Sequence, residues 1–276
     1  MERPREVTVR PFPVRRRLVT SAVRAGRRVV PMHGLFEVDV TEARAVLARS
    51  DPPLSLTAYV LASAARAAAR HPEVHAYRDV RGRLVEHRHV DVQTLVEVPT
   101  PDGPFGLVHV VRDADIRAVA DISAELRAVK AEPTRTTNGR LLDRLAPLAG
   151  RVPGLYALVF AVLARSRRAR AATGTVQVTA VGMFAGGAGF AIAPPTVASC
   201  TVVVGGLDRR PRVVDGRVVV RDVLDLTVTI DHNVTDGGPA TRFGADLRRT
   251  IESGETLAAR DGGEAVPIRP RYVGGP

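Results

Sequence analysis

Cysteine, lysine and tryptophan are rare or missing in this sequence. Its 276 residues include one cysteine and no tryptophan, and Lys130 is the single lysine. One cysteine excludes an intrachain disulfide and a cysteine-based zinc cluster, and it agrees with a reducing, cytoplasmic location. We expect Cys200 to be a small buried apolar residue rather than a catalytic thiol. The single lysine lies inside a predicted helix, which excludes a nucleotide-binding loop of the G-x-x-x-x-G-K-[ST] type.

Long hydrophobic runs are also missing. The longest, Leu155–Leu163, is too short to cross a bilayer, and the first residues lack the apolar segment of a signal peptide. We therefore expect no membrane partner. Hydrophobic residues make up 45% of the chain, which is enough for a full core. We predict a single domain over residues 1–276, with tails at 1–13 and 262–276.

Aromatic residues make up only 4% of the chain, whereas the formal net charge is +11. A basic protein can bind nucleic acid through its phosphates. Here the basic residues are nearly all arginines spread along the whole chain, with short clusters at Arg15–Arg17 and Arg165–Arg170, and aromatic side chains do not alternate with them as base-stacking platforms would. We therefore expect no nucleic-acid partner. The same charge would attract an anionic cosubstrate such as coenzyme A.

Apolar periodicity and helix-breaking residues predict several helices. They are Glu42–Ala48 with Thr41 as N-cap, Thr57–Arg70 ending before His71-Pro72, Ile116–Lys130, two helices within Leu141–Arg170, and Gly237–Glu252.

Alternating or β-branched segments predict the strands. These are Leu35–Val40, Leu84–His87, Val90–Val98, Gly106–Val111, Thr175–Val181, Thr201–Gly205, Arg212–Val214, Arg217–Val220 and Asp225–Ile230. Pro99–Phe105 is typical of a turn, and Asp215-Gly216 is typical of a two-residue hairpin. Because strands and helices are mixed rather than strictly alternating, the order favours an α/β layered sandwich with a mixed β-sheet.

The segment DHNVTDG, Asp231–Gly237, stands where a predicted strand ends and a helix begins. A histidine at this point, His232, can titrate near neutrality and accept a proton from a hydroxyl or thiol. The carboxylate four residues later, Asp236, can order such a site. The pattern H-x-x-x-D is short and also occurs by chance, so a purely structural His232 is the alternative.

No metal site is expected. His87 and His89 could share one face of a strand, but a third ligand and a cysteine pair are lacking. The glycine-rich segment Gly182–Gly189 does not form G-x-G-x-x-G after a strand, and we interpret it as a flexible loop.

Five segments match, in order, those of a known family. DHNVTDGGPATRF at Asp231–Phe243 is similar to the signature D-H-R-x-x-D-G-A-x-A-A-R-F, and GTVQVTAVGMF at Gly174–Phe184 is similar to G-T-F-T-I-S-N-L-G-M-F. The segments Arg210–His232, Pro101–Asp115 and His71–Ala76 also fit. Over nearly the whole chain, the sequence resembles the catalytic domain of the 2-oxoacid dehydrogenase acyltransferases, relatives of chloramphenicol acetyltransferase.

The resemblance implies a chloramphenicol acetyltransferase-like sandwich in which His232 is the general base of an acyl transfer. The family uses a serine hydroxyl to stabilise the oxyanion, and the matching residue is Thr179, which keeps the hydroxyl. Asp236 matches a family aspartate that orders the site by pairing with an arginine near the N-terminus. Arg15 matches that arginine best, and Arg16 is a close competitor.

The sequence also departs from the family pattern. Asn233 replaces the signature arginine, while Gly237 keeps the signature glycine, and we expect both to serve a structural or substrate-binding role. The lipoyl domain, its lysine and the peripheral-subunit-binding domain of complex-forming members are not found. The region Arg140–Ala172 is longer and more helical than the connector expected there.

The resemblance further implies a homotrimer, or a multiple of trimers, in which the histidine of one subunit faces the hydroxyl of its neighbour. Acetyl-CoA would be the cosubstrate, with no covalently bound cofactor. We expect a free-standing enzyme that acylates a hydroxyl of a small molecule, for instance a specialised metabolite such as a tetronate intermediate in antibiotic biosynthesis. Two alternatives are a dihydrolipoyl acyltransferase that uses lipoyl groups supplied in trans, and a non-catalytic structural core subunit.

Overall fold

The computed structural model describes residues 7–9, 12–98, 105–132, 166–181 and 186–258, and the single residues 158 and 162. The predicted tail 262–276 and most of the predicted helical region Leu141–Arg170 lie outside the described residues.

Helices and strands follow one another irregularly along the described chain. The order is α1 (Val14–Gly26), β1 (Pro31–Asp39), α2 (Thr41–Arg49), α3 (Leu56–Arg70), a 3₁₀ turn (Pro72–Val74), β2 (Tyr77–Arg78), β3 (Leu84–Val85), β4 (Val92–Val98), β5 (Phe105–Val111), α4 (Val119–Ala131), α5 (Arg167–Thr173), β6 (Val176–Ala180), β7 (Cys200–Val214), β8 (Arg217–Asp231), α6 (Gly237–Ser253) and α7 (Glu255–Ala258). No helix among these residues is long and apolar enough to cross a membrane.

Six strands form one sheet in the order β1-β8-β7-β6-β4-β5, and β2 and β3 form a separate ribbon. In the main sheet, β6 runs parallel to both β4 and β7, and the other neighbouring strands are antiparallel. The α/β layered sandwich with a mixed sheet, predicted from the order of elements, is therefore confirmed.

One face of the sheet packs against α3, α4 and α6. Helix α3 is rich in alanine and has ten buried residues, so its backbone can lie close to the sheet. Helix α6 contributes Phe243, Leu247 and Ile251, which follow each other at four-residue spacing and are fully buried. Burial of each of these side chains stabilises the fold by about 1.5–3 kcal/mol.

The opposite face of the central strands is also buried and carries mostly polar side chains, among them Gln177, Thr201 and Thr227. The residues at 186–199 run across it without regular structure. The Gly189 N–H donates to Oδ2 of Asp225 at 2.7 Å, and the Thr196 hydroxyl donates to the Gln177 side-chain oxygen at 2.8 Å. The end of the glycine-rich segment, expected to be a flexible loop, is thus irregular but hydrogen-bonded to the sheet.

Strands β7 and β8 form one long hairpin. Its turn is Asp215-Gly216, where both residues have positive φ, 50° and 73°, so the hairpin predicted there is confirmed. The prediction of four short strands in this region is wrong, because the structure has two strands of 15 residues each. The pairing of the two strands has one shift of register, between Val204 and Leu207, at Gly205–Gly206.

Near the N-terminus, one prediction is wrong and one helix was missed. Val40, not Thr41, occupies the N-cap position of α2. The Thr41 hydroxyl instead donates to Oδ1 of Asp39 at 2.7 Å and accepts from the backbone N–H of Asp222 at 2.8 Å, so it ties the helix start to β8. Helix α1, which begins directly after the predicted tail, was not predicted.

Candidate active site

His232 follows the last residue of β8, at the end of the sheet where β8 pairs with the start of β1. Its backbone N–H donates to the carbonyl of Val30 at 2.8 Å. In the ring, Nδ1 lies 3.1 Å from the carbonyl oxygen of Thr235. A carbonyl only accepts hydrogen bonds, so Nδ1 carries the proton of the neutral ring and Nε2 carries the lone pair.

The Nε2 atom makes no hydrogen bond to any described residue, and the His232 side chain is 46% exposed. An imidazole with a fixed Nδ1 proton and an accessible Nε2 lone pair has the arrangement that a general base requires. The ring geometry is compatible with the predicted role of His232, which stays a prediction.

The two residues beside His232 hold its backbone. Oδ1 of Asp231 accepts from the N–H of Val30 at 3.1 Å, from the N–H of Asn233 at 3.0 Å and from Nδ2 of Asn233 at 2.8 Å. Nδ2 of Asn233 also donates to the carbonyl of Arg28 at 2.9 Å. The histidine turn is thus hydrogen-bonded to the connection between α1 and β1.

Asp236 stands at the N-cap position of α6 and makes no capping bond with its side chain. Its Oδ1 lies 3.6 Å from Nδ1 of His232, and its side chain is 88% exposed. The described side chain of Arg16 forms no ion pair with Asp236, and the side chain of Arg15 lies outside the described residues. A Cβ added at Gly237 would meet nothing within 4 Å. The ordering role of Asp236, the pairing with Arg15 and the role of Gly237 stay predictions.

Thr179 lies on β6 and is 5% exposed. It is opposite Val203 on β7, which is opposite Thr227 on β8. Thr227 precedes Asp231 by four residues. Two strand spacings and four residue steps place the Cα atoms of Thr179 and Asp231 about 16 Å apart within one chain. A single subunit therefore does not bring the predicted base and the predicted oxyanion donor together.

Arg170 is a buried cation next to the histidine turn, and no sequence signal identified it. Its side chain is 1% exposed and lies over the ring of Tyr77, 4.6 Å from the ring centre. It donates to the carbonyl of Val197 and, at 3.0 Å, to the hydroxyl of Ser199. Burial lowers the pKa of Arg170 to about 10, although Tyr77 and Asp231 partly oppose this shift. The carbonyl of Ser199 accepts from the N–H of Asp231 at 2.9 Å, which links the cation to the turn.

Cys200 is fully buried, and burial raises the pKa of its thiol to about 12. The prediction of a small buried residue is confirmed. The two histidines considered for zinc have separate partners: His87 stacks on Tyr77 with ring centres 5.7 Å apart, and Nδ1 of His89 lies 3.2 Å from Oδ2 of Asp115. No group of three potential ligands among the described residues is arranged to hold a metal ion.

Residues 4–141 and 162–259 match the family model of the 2-oxoacid dehydrogenases acyltransferase (catalytic domain). The chain is 24% identical, over 75% of its length, to the dihydrolipoyllysine-residue acetyltransferase component of the pyruvate dehydrogenase complex of Mycoplasma pneumoniae, and this covers 43% of that protein. It is 23% identical, over 93% of its length, to the lipoamide acyltransferase component of the branched-chain alpha-keto acid dehydrogenase complex of Pseudomonas aeruginosa, covering 54% of it. The chain spans about half the length of these curated relatives.

Solved structures support the fold. The dihydrolipoamide acetyltransferase of Azotobacter vinelandii, studied for the role of a serine, a histidine and an asparagine in its mechanism, aligns with a TM-score of 0.68 at 20% identity, covering 91% of this chain and 94% of that one. The cubic core of a pyruvate dehydrogenase multienzyme complex aligns with a TM-score of 0.65 at 20% identity, covering 91% of this chain and 94% of that one. A chloramphenicol acetyltransferase aligns at 0.51 with 15% identity, covering 87% of this chain and 96% of that one. Since the family model matches most of its length, the chain belongs to the catalytic-domain family of the 2-oxoacid dehydrogenase acyltransferases.

Proposed function

We propose that the protein transfers an acetyl group from acetyl-CoA to a hydroxyl of a small molecule, with His232 as the general base. The observation that carries the proposal is the orientation of the His232 ring, whose Nδ1 is held by the Thr235 carbonyl while Nε2 is left without a described partner. The net charge of +11 favours an anionic cosubstrate. A specialised metabolite such as a tetronate intermediate is a candidate acceptor.

In the proposed reaction, Nε2 of His232 accepts the proton of the acceptor hydroxyl as its oxygen attacks the thioester carbonyl of acetyl-CoA. A C–O bond forms, and the carbonyl oxygen becomes a tetrahedral oxyanion, to which the Thr179 hydroxyl donates a hydrogen bond. The intermediate collapses with cleavage of the C–S bond. The imidazolium then returns its proton to the departing thiolate, which leaves an ester and free coenzyme A.

This mechanism needs at least two subunits. The separation of about 16 Å between Thr179 and Asp231 in one chain is too long for both groups to act on the same carbonyl. We therefore propose a homotrimer, or a multiple of trimers, in which His232 of one subunit meets Thr179 of the next. The likeness to a cubic core supports this arrangement, because a cubic assembly contains threefold axes.

A mixing experiment tests the shared site. His232→Ala and Thr179→Val are each expected to be nearly inactive, so the two variants are co-refolded in equal amounts. In random trimers, an interface has an intact His232 with probability one half and an intact Thr179 with probability one half, so about a quarter of wild-type activity should return. If each subunit had its own complete site, the mixture would stay inactive.

A second candidate is a dihydrolipoyl acyltransferase that uses lipoyl groups supplied in trans. The curated relatives favour it, because they are a dihydrolipoyllysine-residue acetyltransferase and a lipoamide acyltransferase. Thiol release from acetyl-CoA, measured with a panel of alcohols and with free dihydrolipoamide, separates the two. The first proposal expects a hydroxyl acceptor to be fastest. If dihydrolipoamide is acetylated much faster than every alcohol, the second candidate replaces it. A non-catalytic core subunit would release thiol with neither class of acceptor.

A further inference from the structure

The turn that carries His232 is anchored on both sides of the histidine. Before it, Oδ1 of Asp231 accepts from the N–H of Val30 at 3.1 Å. After it, Nδ2 of Asn233 donates both to Oδ1 of Asp231, at 2.8 Å, and to the carbonyl of Arg28, at 2.9 Å. The N–H of His232 itself donates to the carbonyl of Val30 at 2.8 Å. Three consecutive residues are therefore fixed to the connection between α1 and β1.

The same turn sets the partner of the histidine ring. The carbonyl of Asp231 accepts from the N–H of Val234 at 3.1 Å and from the N–H of Thr235 at 3.4 Å. This folds the chain back so that the carbonyl of Thr235 reaches Nδ1 of His232 at 3.1 Å. The position of that carbonyl, and with it the tautomer of the ring, depends on the shape of the whole turn.

We propose that Asn233 is a positioning residue, which keeps the His232 ring in the single tautomer that leaves the Nε2 lone pair free. The inference rests on the proposed function for its effect on the reaction, whereas its effect on the ring can be observed without any substrate. Asn233 does not contact the reacting atoms, so it acts through the turn.

The chemistry of the side chain explains why an amide suits this position. Its nitrogen carries two hydrogens, one for a carboxylate within the turn and one for a backbone carbonyl outside it. An aspartate has the same size but cannot donate to either oxygen, and its charge would face the carboxylate of Asp231. An alanine removes both bonds without adding charge. An effect shared by the two variants is therefore due to lost donation, because only the aspartate adds charge and only the alanine is smaller.

The test compares Asn233→Ala and Asn233→Asp with wild type and with Thr241→Ala. The Thr241 control removes one side chain-to-backbone hydrogen bond, to the carbonyl of Gly237, on the exposed surface of the next helix. Since Asn233 is exposed, all variants should fold, which circular dichroism verifies. Ring ¹⁵N NMR of neutral histidine reports the tautomer, and the His232 signals are assigned by their loss in His232→Gln.

Wild type and Thr241→Ala should show His232 as one tautomer, protonated at Nδ1. Asn233→Ala and Asn233→Asp should show a mixture of tautomers. We expect kcat to fall about tenfold, the effect on the tautomer equilibrium of losing the one Nδ1 hydrogen bond to the Thr235 carbonyl, and KM for acetyl-CoA to stay within about twofold of wild type. A single Nδ1-protonated tautomer in both Asn233 variants would overturn the inference, as would an unchanged kcat. If wild type transfers no acyl group, the proposed function fails while the NMR comparison still decides the role of Asn233.

Discussion

Acidification should destabilise the protein through His75, a fully buried histidine whose Nδ1 lies 2.9 Å from the hydroxyl of Thr175. Burial, and to a lesser degree the nearby His87, lower the pKa of His75 from 6.5 to about 4. The folded state therefore binds fewer protons than the unfolded state between these two values, so stability falls as the pH drops through this window. Well above the unfolded pKa, His75 is neutral in both states, so its protonation no longer lowers the free energy of unfolding.

The expected loss of stability follows from the folded and unfolded pKa values of His75. For one site with a pKa of 6.5 unfolded and about 4 folded, the free energy of unfolding falls by about 2 kcal/mol between pH 7.5 and pH 5.0. This window lies above the range where most carboxylates titrate. The pKa of His87 is also lowered by burial, so it adds to the slope in the same direction.

Urea unfolding at fixed protein concentration, followed by circular dichroism at pH 7.5 and pH 5.0, measures how the free energy of unfolding changes with pH. His75→Gln removes the titrating group, so its stability should change by about 2 kcal/mol less than that of wild type between the two pH values, whatever its absolute stability. His33→Gln, which removes an exposed histidine of β1, is the matched control. If both variants flatten the slope equally, or neither does, burial of His75 is not the cause.

Three further predictions concern packing and the oxyanion. Gly206→Ala should lower the free energy of unfolding by about 2 kcal/mol, because the added Cβ would lie 2.1 Å from the backbone oxygen of Gly187. Gly187→Ala is the control, since a Cβ there meets nothing within 4 Å, and urea unfolding measures the stability of both variants. Tyr59→Phe should cost about 1–2 kcal/mol in the same assay, since the Tyr59 hydroxyl donates to the buried Ile251 carbonyl at 2.5 Å. Thr179→Val should lower kcat about 10²–10³-fold, whereas Thr179→Ser should retain activity. If Thr179→Val had the same kcat as wild type, Thr179 would not be the oxyanion donor.

Local chemistry was readable from the sequence where it depends on a few neighbouring residues. The Asp215-Gly216 hairpin was predicted because these two residue types tolerate positive φ, and the structure has it there. The position of His232 between a strand and a helix was also predicted from neighbouring residues, because the β-branched run ends where the turn residues begin.

Features that depend on distant parts of the chain were not predicted. Arg170 lies in an arginine-rich run typical of an exposed helix face, and its burial results from packing on Tyr77 and from hydrogen bonds to residues about thirty positions later. The register shift at Gly205–Gly206 reflects the close approach of Gly187 and Gly189. The separation of Thr179 from His232 within one chain follows from strand order, which no local pattern encodes, and only the family resemblance implied it.

The central claim is that His232 is the general base, and His232→Gln tests it most directly. Glutamine keeps a polar side chain of similar reach but cannot take a proton at neutral pH. With an acceptor that supports turnover by the wild type, we measure the rate of coenzyme A thiol release from acetyl-CoA at equal concentrations of folded protein. The account predicts a fall of about 10²–10⁴-fold with an unchanged circular dichroism spectrum. A rate within about twofold of wild type would contradict it.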